Sequence, residues 1–316
     1  MSDQVRVAVV GVGYLGRFHA QKYLALPDCK LCAVVDSNPE RAEEIAAELG
    51  VPGGSDLAAV LGKVDAVSIA VPTLAHHAVT LQCLQAGKHV LVEKPLAATL
   101  AEAEELVALA RAKGVLMQVG FLERFNPAFQ ICKDRIVKPQ FIETIRISSF
   151  LERGADVDVV LDLMSHDLDL VLAIAPSPVR NLHAVGKSLM TDSTDLANVR
   201  IVFEDGCVAN MTVSRISHKT ERKMRVFQPD SYLSIDFAKP FARIYQKIPP
   251  GRANSESMFT EETHSPDKGD SLLAEVAAFV DAIRSGGPPV VSGDDGLRAM
   301  TVADQVMRDI YQNRLP

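Results

Sequence analysis

The β-branched run Val5–Val10 ends in Gly11-Val12-Gly13-Tyr14-Leu15-Gly16 and passes into a segment with helical apolar spacing, Leu15 to Leu26. Few short patterns constrain a fold so tightly. The first glycine permits a tight turn out of a strand, the second lets backbone approach a pyrophosphate, and the third lets helix and strand pack closely. The helix that opens there offers free N–H groups and the positive end of its dipole to phosphates. Gly11, Gly13 and Gly16, with Tyr14 and Leu15 opening the helix, therefore predict a dinucleotide cradle. Such a cradle calls for an acidic residue about 20 residues further on. Asp36 stands there, closing the strand candidate that starts at Leu31. Its carboxylate accepts from ribose hydroxyls and repels a 2′-phosphate. The next residues are Ser37 and Asn38 rather than an arginine, so NAD is favoured over NADP.

The pattern after the cradle repeats the same alternation. Pro39 opens a helix that runs to Leu49 and stops at Gly50. Ala66–Val71, His89–Glu93 and Leu116–Phe121 read as buried strands, separated by helical segments at Ala75–Ala86 and Leu100–Ala112. Strands alternating with helices make βαβ units and a parallel sheet. After Phe121 the character changes. Helical spacing at Asn126–Ile136 and Leu161–Ile174 flanks a strand-like Phe141–Phe150. From Val179 to Phe237 strand patterns follow one another across short turns, which suggests an antiparallel or mixed sheet. Residues between Phe237 and Ser271 read as a polar surface loop, and helices are expected over Leu272–Ile283 and Leu297–Tyr311. The expected fold class is α/β: an N-terminal Rossmann domain with a doubly wound parallel sheet, 1–121, and a C-terminal α+β domain with a large open, mostly antiparallel sheet, 122–316.

Bulk properties narrow the partners. The net charge of -7 argues against a nucleic-acid binder, which needs clustered Lys and Arg. No stretch is long and apolar enough to span a bilayer, and the start lacks the pattern of a secretion signal, so a cytoplasmic, reduced setting is expected. Cys29-x-x-Cys32 has no second pair to complete a zinc site and is read as structural. No metal is expected.

Candidate chemistry gathers at three places. Glu93-Lys94-Pro95 closes the fourth strand candidate, and ligands of open parallel sheets bind beyond the carboxyl ends of the strands. Asp162 and His166, at i and i+4, share one helix face, with Asp169 seven on from Asp162. Oxidising a carbinol leaves a hydroxyl proton to remove, and a base titrating near neutrality does this best. His166 suits that role. Lys94 suits stabilisation of the developing alkoxide, and a desolvated Lys94 is the alternative base. Asp162 then contacts a substrate hydroxyl or orients His166. After the fifth strand, Arg124 is a candidate for a phosphate or carboxylate, and Asn126 either caps the helix opening at Pro127 or meets substrate.

The motifs Gly11-x-Gly13-x-x-Gly16, Pro72-x-x-x-His76, Ala86–Pro95 and Asp162-x-x-x-His166-x-x-Asp169 together resemble the Gfo/Idh/MocA family of sugar-type dehydrogenases. The segment Leu273–Ile283 resembles that family's terminal helix. The resemblance implies an active-site lysine at Lys94 and a cofactor contact by Pro72, Glu93 and Lys94, and by His76 as well, for which a role at its helix start is the alternative. It also implies a homodimer or homotetramer. Many relatives carry a glycine-rich stretch before the aspartate; here Gly154–Leu161 replaces it. The segments Arg124–Pro127 and Asp156–Asp162 resemble members that oxidise UDP-N-acetylglucosamine at the sugar 3-hydroxyl. The expected activity is thus NAD(P)-dependent oxidation of a secondary hydroxyl on a nucleotide sugar. Inositol, polyol or free-aldose oxidation is the alternative within the family. A catalytically inactive dinucleotide-binding regulator is the alternative from another class; the presence of both Lys94 and His166 speaks against it.

Overall fold

A computed structural model describes residues 4–150, 157–249, 258–267 and 269–312. The chain divides into two compact units, Met1–Leu122 with Asp270–Met300, and Glu123–Gly269 with Thr301–Pro316.

In the first unit the order is β1 (Val5–Val10), α1 (Tyr14–Ala25), β2 (Cys29–Val35), α2 (Pro39–Leu49), β3 (Gly53–Gly54), α3 (Ala58–Leu61), β4 (Ala66–Ile69), α4 (Thr73–Gln85), β5 (His89–Glu93), α5 (Leu100–Lys113) and β6 (Met117–Gly120). These strands form one sheet in the order β3-β2-β1-β4-β5-β6, and all five pairings are parallel. That is the doubly wound order in which ligands sit beyond the carboxyl ends of the strands, where the order reverses between β1 and β4. The inner strands β1, β4 and β5 are buried along most of their length, so they read as nearly continuous apolar runs. Helix signals are local. Asn38 accepts from Glu40 and Arg41 backbone N–H to cap α2, and Thr99 with Glu102 forms a reciprocal capping box on α5.

The second unit contains α6 (Pro127–Cys132), β7 (Phe141–Ile147), a π-helical turn (Val160–Met164), α7 (Ser165–Ile174), then β8 (Val179–Lys187), β9 (Leu196–Phe203), β10 (Val208–Ser214), β11 (Glu221–Phe227), β12 (Ser231–Asp236), β13 (Phe241–Lys247) and β14 (Phe259–His264). The sheet order is β14-β13-β12-β11-β7-β10-β9-β8. Only β7 and β10 pair in parallel; the other neighbours are antiparallel. Alternate residues such as Val199, Ile201, Ala209, Met211 and Val213 point to a buried face. The opposite face carries cross-strand polar pairs, Asn198 with Thr212 and Arg225 with Glu143, and an aromatic ladder of Phe227, Tyr232 and Tyr245.

Two expectations are corrected. The stretch expected to be a polar loop after Phe237 contains β13 and β14. Ala242 and Ile244 supply inward alternation in β13, but Phe259–His264 is exposed almost throughout and owes its strand form to its pairing with β13. The assignment of all of 122–316 to one C-terminal domain also fails. Helix α8 (Ser271–Ser285) and the first part of α9 (Gly293–Gln312) belong to the first unit. The reason is apolar burial: Val276, Phe279 and Val280 of α8 join Val5, Val7, Tyr23 and Leu31 in one buried cluster.

Candidate functional site

The turn after β1 is built around Gly11, whose φ of +82° lies in the left-handed region. Its N–H donates to the Val35 carbonyl at 2.7 Å, tying the turn to β2. Gly16 is where α1 meets that turn: a Cβ there would stand 1.7 Å from the Gly11 carbonyl oxygen. Gly13 is the opposite case. It precedes α1, no side chain caps the helix start, and a Cβ built on it meets nothing within 4 Å. The first turn of α1 contains no acidic residue. Open space over uncapped N–H groups at a positive dipole end fits a diphosphate. Tyr14 is exposed and packs edge-to-face on Phe18, with ring centroids 5.1 Å apart.

Asp36 follows β2 and folds back on the cradle. Oδ2 accepts from Val12 N–H at 2.8 Å and Oδ1 from Asn38 N–H at 3.0 Å. One carboxylate therefore fixes the glycine turn while keeping lone pairs for further donors. Arg41, which the sequence did not single out, donates from Nε to the Val12 carbonyl at 3.0 Å.

Because the strands are parallel, Gly11, Asp36, Pro72 and Lys94 all emerge at one edge of the sheet, after β1, β2, β4 and β5. Lys94 is half-buried and precedes Pro95 through a cis peptide bond. Glu93 is held from beneath by α1. His19 is buried, with Nε2 2.9 Å from Glu93 Oε1 and Nδ1 2.9 Å from Ser68 Oγ. With its proton on Nε2, the ring donates to Glu93 and accepts from Ser68.

His76 lies in the first turns of α4. Its side chain is buried, with Nδ1 2.7 Å from the Pro95 carbonyl and Nε2 2.9 Å from the Val71 carbonyl. Burial lowers its pKa, against the two carbonyls that favour a charged ring. It braces the turn that carries Lys94. Pro72 serves as the residue before α4.

In the second unit Asp162 lies in the π-helical turn and His166 in the first turn of α7; both are half-buried. The uniform α-helix expected over Leu161–Ile174 is thus replaced at its start by a wider turn, a feature that recurs at functional sites. The neighbouring acids face inward. Asp167 binds the buried Arg146 through Nη2 at 2.8 Å, and Glu123 binds its Nη1 at 3.0 Å. Burial works against the Arg146 charge, but the two carboxylates outweigh it and raise its pKa. Asp169 takes the fork of Arg124, Nε at 2.6 Å and Nη2 at 2.8 Å. Arg124 thus makes a bidentate ion pair through Nε and Nη2. For Asn126 the structure shows the helix-cap alternative. Its Oδ1 accepts from Ala128 N–H to cap α6, and its Nδ2 donates to Glu123 and to the Phe237 carbonyl. It is a structural cap. Of the segment Gly154–Leu161, residues up to 156 lie outside the described residues.

Fold and site together define a protein with a dinucleotide-binding Rossmann unit and a second α/β unit built on a large open sheet. Residues 5–121 match the oxidoreductase family with NAD-binding Rossmann fold, and residues 142–230 match the Gfo/Idh/MocA C-terminal domain. The chain belongs to the Gfo/Idh/MocA oxidoreductase family. It is 38% identical to the UDP-N-acetylglucosamine 3-dehydrogenase of Acidithiobacillus ferrooxidans, over 96% of both chains. The solved structure of that enzyme matches with a TM-score of 0.91 at 37% identity, covering 98% of each chain. Myo-inositol 2-dehydrogenase of Thermotoga maritima is 26% identical over 98% of this chain and 97% of its own. Levoglucosan dehydrogenase, solved with NADH and levoglucosan, shares the fold at a TM-score of 0.88 and 18% identity, covering 98% of each chain.

Proposed function

We propose that the protein is an NAD-dependent dehydrogenase that oxidises the 3-hydroxyl of UDP-N-acetylglucosamine to the 3-keto sugar. The carrying observation is the 38% identity, over nearly the full length of both chains, to an enzyme named for that reaction. When bound, the nicotinamide supplies the hydride acceptor. The chain's own residues do the rest. Gly11, Gly13, Gly16 and the start of α1 hold the diphosphate, and Asp36 holds the adenosine ribose. Lys94, braced by His76 and Glu93, donates to the substrate oxygen and stabilises its developing negative charge. His166 takes the hydroxyl proton, and Asp162 orients His166 or a neighbouring sugar hydroxyl. The protein works in the cytoplasm as a homo-oligomer, with the aromatic ladder on the exposed sheet face supporting self-association.

Absorbance at 340 nm tests the reading directly. With NAD, UDP-N-acetylglucosamine is expected to give NADH, whereas inositols and free hexoses are expected to give none. Turnover of an inositol but not the nucleotide sugar would keep the family chemistry and discard this substrate. Asp36→Ala is expected to weaken NAD use by roughly 10- to 100-fold, the loss of a hydrogen bond to a charged group. The same variant should raise the NADP:NAD ratio of kcat/KM. An unchanged ratio would remove Asp36 from the ribose.

A further inference from the structure

The first unit encloses a carboxyl group that the proposed chemistry does not use. Glu275 lies on α8 next to Val276 and one turn before Phe279, both members of the apolar cluster, and has no exposed surface. Both of its carboxyl oxygens are buried, and no described donor reaches them. Yet a carboxylate oxygen of Glu275, one of Glu93 and a ring nitrogen of His19 all lie within 4.8 Å of one another. Gln118 of β6 holds the α8 backbone there, donating from Nε2 to the Glu275 carbonyl at 3.1 Å.

The groups facing this carboxyl are few. From α1 come His19 and the buried Tyr23, from β5 comes Glu93, and from β6 the neutral Gln118. The imidazole is engaged by Glu93 and Ser68. Two ionised carboxylates this close in a dry interior repel strongly, and such pairs keep one proton between them. An ionised Glu275 would also be left without a donor, whereas a neutral acid carries its own.

We propose that Glu275 is a positioning residue: as a neutral acid it shares its proton with the Glu93 carboxylate and so fixes the strand end that carries Lys94. Burial, and then the charge on Glu93, push the Glu275 carboxyl well above the usual carboxylate range. Glu93 is then confined from three sides. His19 lies on one and Glu275 on a second; on the third, the absent side chain of Gly120 leaves room, since a Cβ there would stand 2.9 Å from Glu93 Oε1. The catalytic consequence rests on the role proposed for Lys94; the proton on Glu275 does not.

Infrared spectroscopy on the full-length protein reads the proton without reference to turnover. A carbonyl stretch of a protonated carboxylic acid is expected at neutral pH in the wild type and should vanish in Glu275→Gln. Its absence in the wild type would overturn the proposal. Stability against pH gives a second reading. Above about pH 4.3 an unfolded glutamate gives up its proton. Native Glu275 keeps its own, so wild-type stability falls with pH through that window. Glu275→Gln lacks this loss, and its stability relative to wild type should rise as pH increases from about 4.3. No such trend, or stoichiometric divalent metal in the purified protein, would overturn the proposal. In turnover, Glu275→Leu should lower kcat about 10- to 100-fold, as for a displaced catalytic group, with NAD affinity unchanged. Glu275→Gln, which keeps a donor, should restore most of that loss. Equal loss in both would mean an ionised Glu275 and refute the neutral acid. If Glu275→Leu does not fold, the infrared and stability comparisons of wild type with Glu275→Gln still decide. An active Lys94→Ala variant beside an intact infrared band would remove only the catalytic consequence.

Discussion

Lys94→Ala and His166→Ala are each expected to lower kcat by about 10²- to 10⁴-fold, the range supplied by a positioned acid or base. NAD binding, followed by fluorescence or calorimetry, should stay within a few-fold of wild type in both. The two losses should not multiply in the double variant, since groups serving one proton transfer act as a unit. The structural context makes this a sharp test for Lys94. The turn bearing it is braced by His76 on the Pro95 carbonyl and by the fixed Glu93 next to it. Truncation at Cβ removes the ammonium and leaves the brace. Full activity in both variants would sink the proposed roles, and a loss confined to His166→Ala would leave the histidine as the sole essential group.

The second large effect separates two glycines three residues apart. Gly16→Ala brings a methyl group to 1.7 Å from the backbone carbonyl oxygen of Gly11, a residue whose N–H is tied to β2. Overpacking of this kind costs about 3 kcal/mol or more, a large share of a total stability of roughly 5–15 kcal/mol. Denaturant unfolding should show it with no ligand present. A Cβ at Gly13 meets no protein atom within 4 Å, so Gly13→Val should change unfolding by only about 1 kcal/mol, the scale of a poor helix cap. NAD affinity should nevertheless fall by about 100-fold or more, as the branched side chain fills the space over the uncapped N–H groups. Normal NAD binding by Gly13→Val would move the diphosphate elsewhere. A stable Gly16→Ala would mean that α1 shifts away from the turn at little cost.

These two glycines also illustrate what the sequence carried. Spacing of three glycines, a strand before them and Asp36 after them are local properties, and the structure reproduces them as a turn with Asp36 folded onto Val12. The parallel sheet was legible because strands buried on both faces are runs of apolar residues. Strand β14 was not, because Phe259–His264 has no apolar alternation and is defined by its partner. Arg124 and Asn126 looked like ligand-binding groups because each has the right chemistry near a strand end. The partner of Arg124, Asp169, lies 45 residues away and leaves no local trace; Asn126 caps α6 through Ala128 two residues on, as the following Pro127 indicated, and only its bond to the Phe237 carbonyl is remote. His19 and Glu275 were overlooked for the same reason. A signal did exist for Glu275: an acid occupies a position on the apolar stripe Leu272, Val276, Phe279, Val280 and Ile283. Charges are seldom placed there unless something receives them.

The return of α8 to the first unit bears on how the chain emerges from the ribosome. Synthesis runs at about 5–20 residues per second and domains generally fold as units, amino end first. Here the first unit cannot finish that way. Its apolar cluster draws Val5 and Val7 from the start of the chain and Val276, Phe279 and Val280 from near its end. By the time Leu122 has been made, six strands exist, but the surface that α8 covers is still open to water. A further 147 residues, Glu123–Gly269, must be translated before the missing helix begins to appear. During that interval the nascent sheet has exposed apolar side chains where α8 will lie, a state in which chaperone binding competes with aggregation.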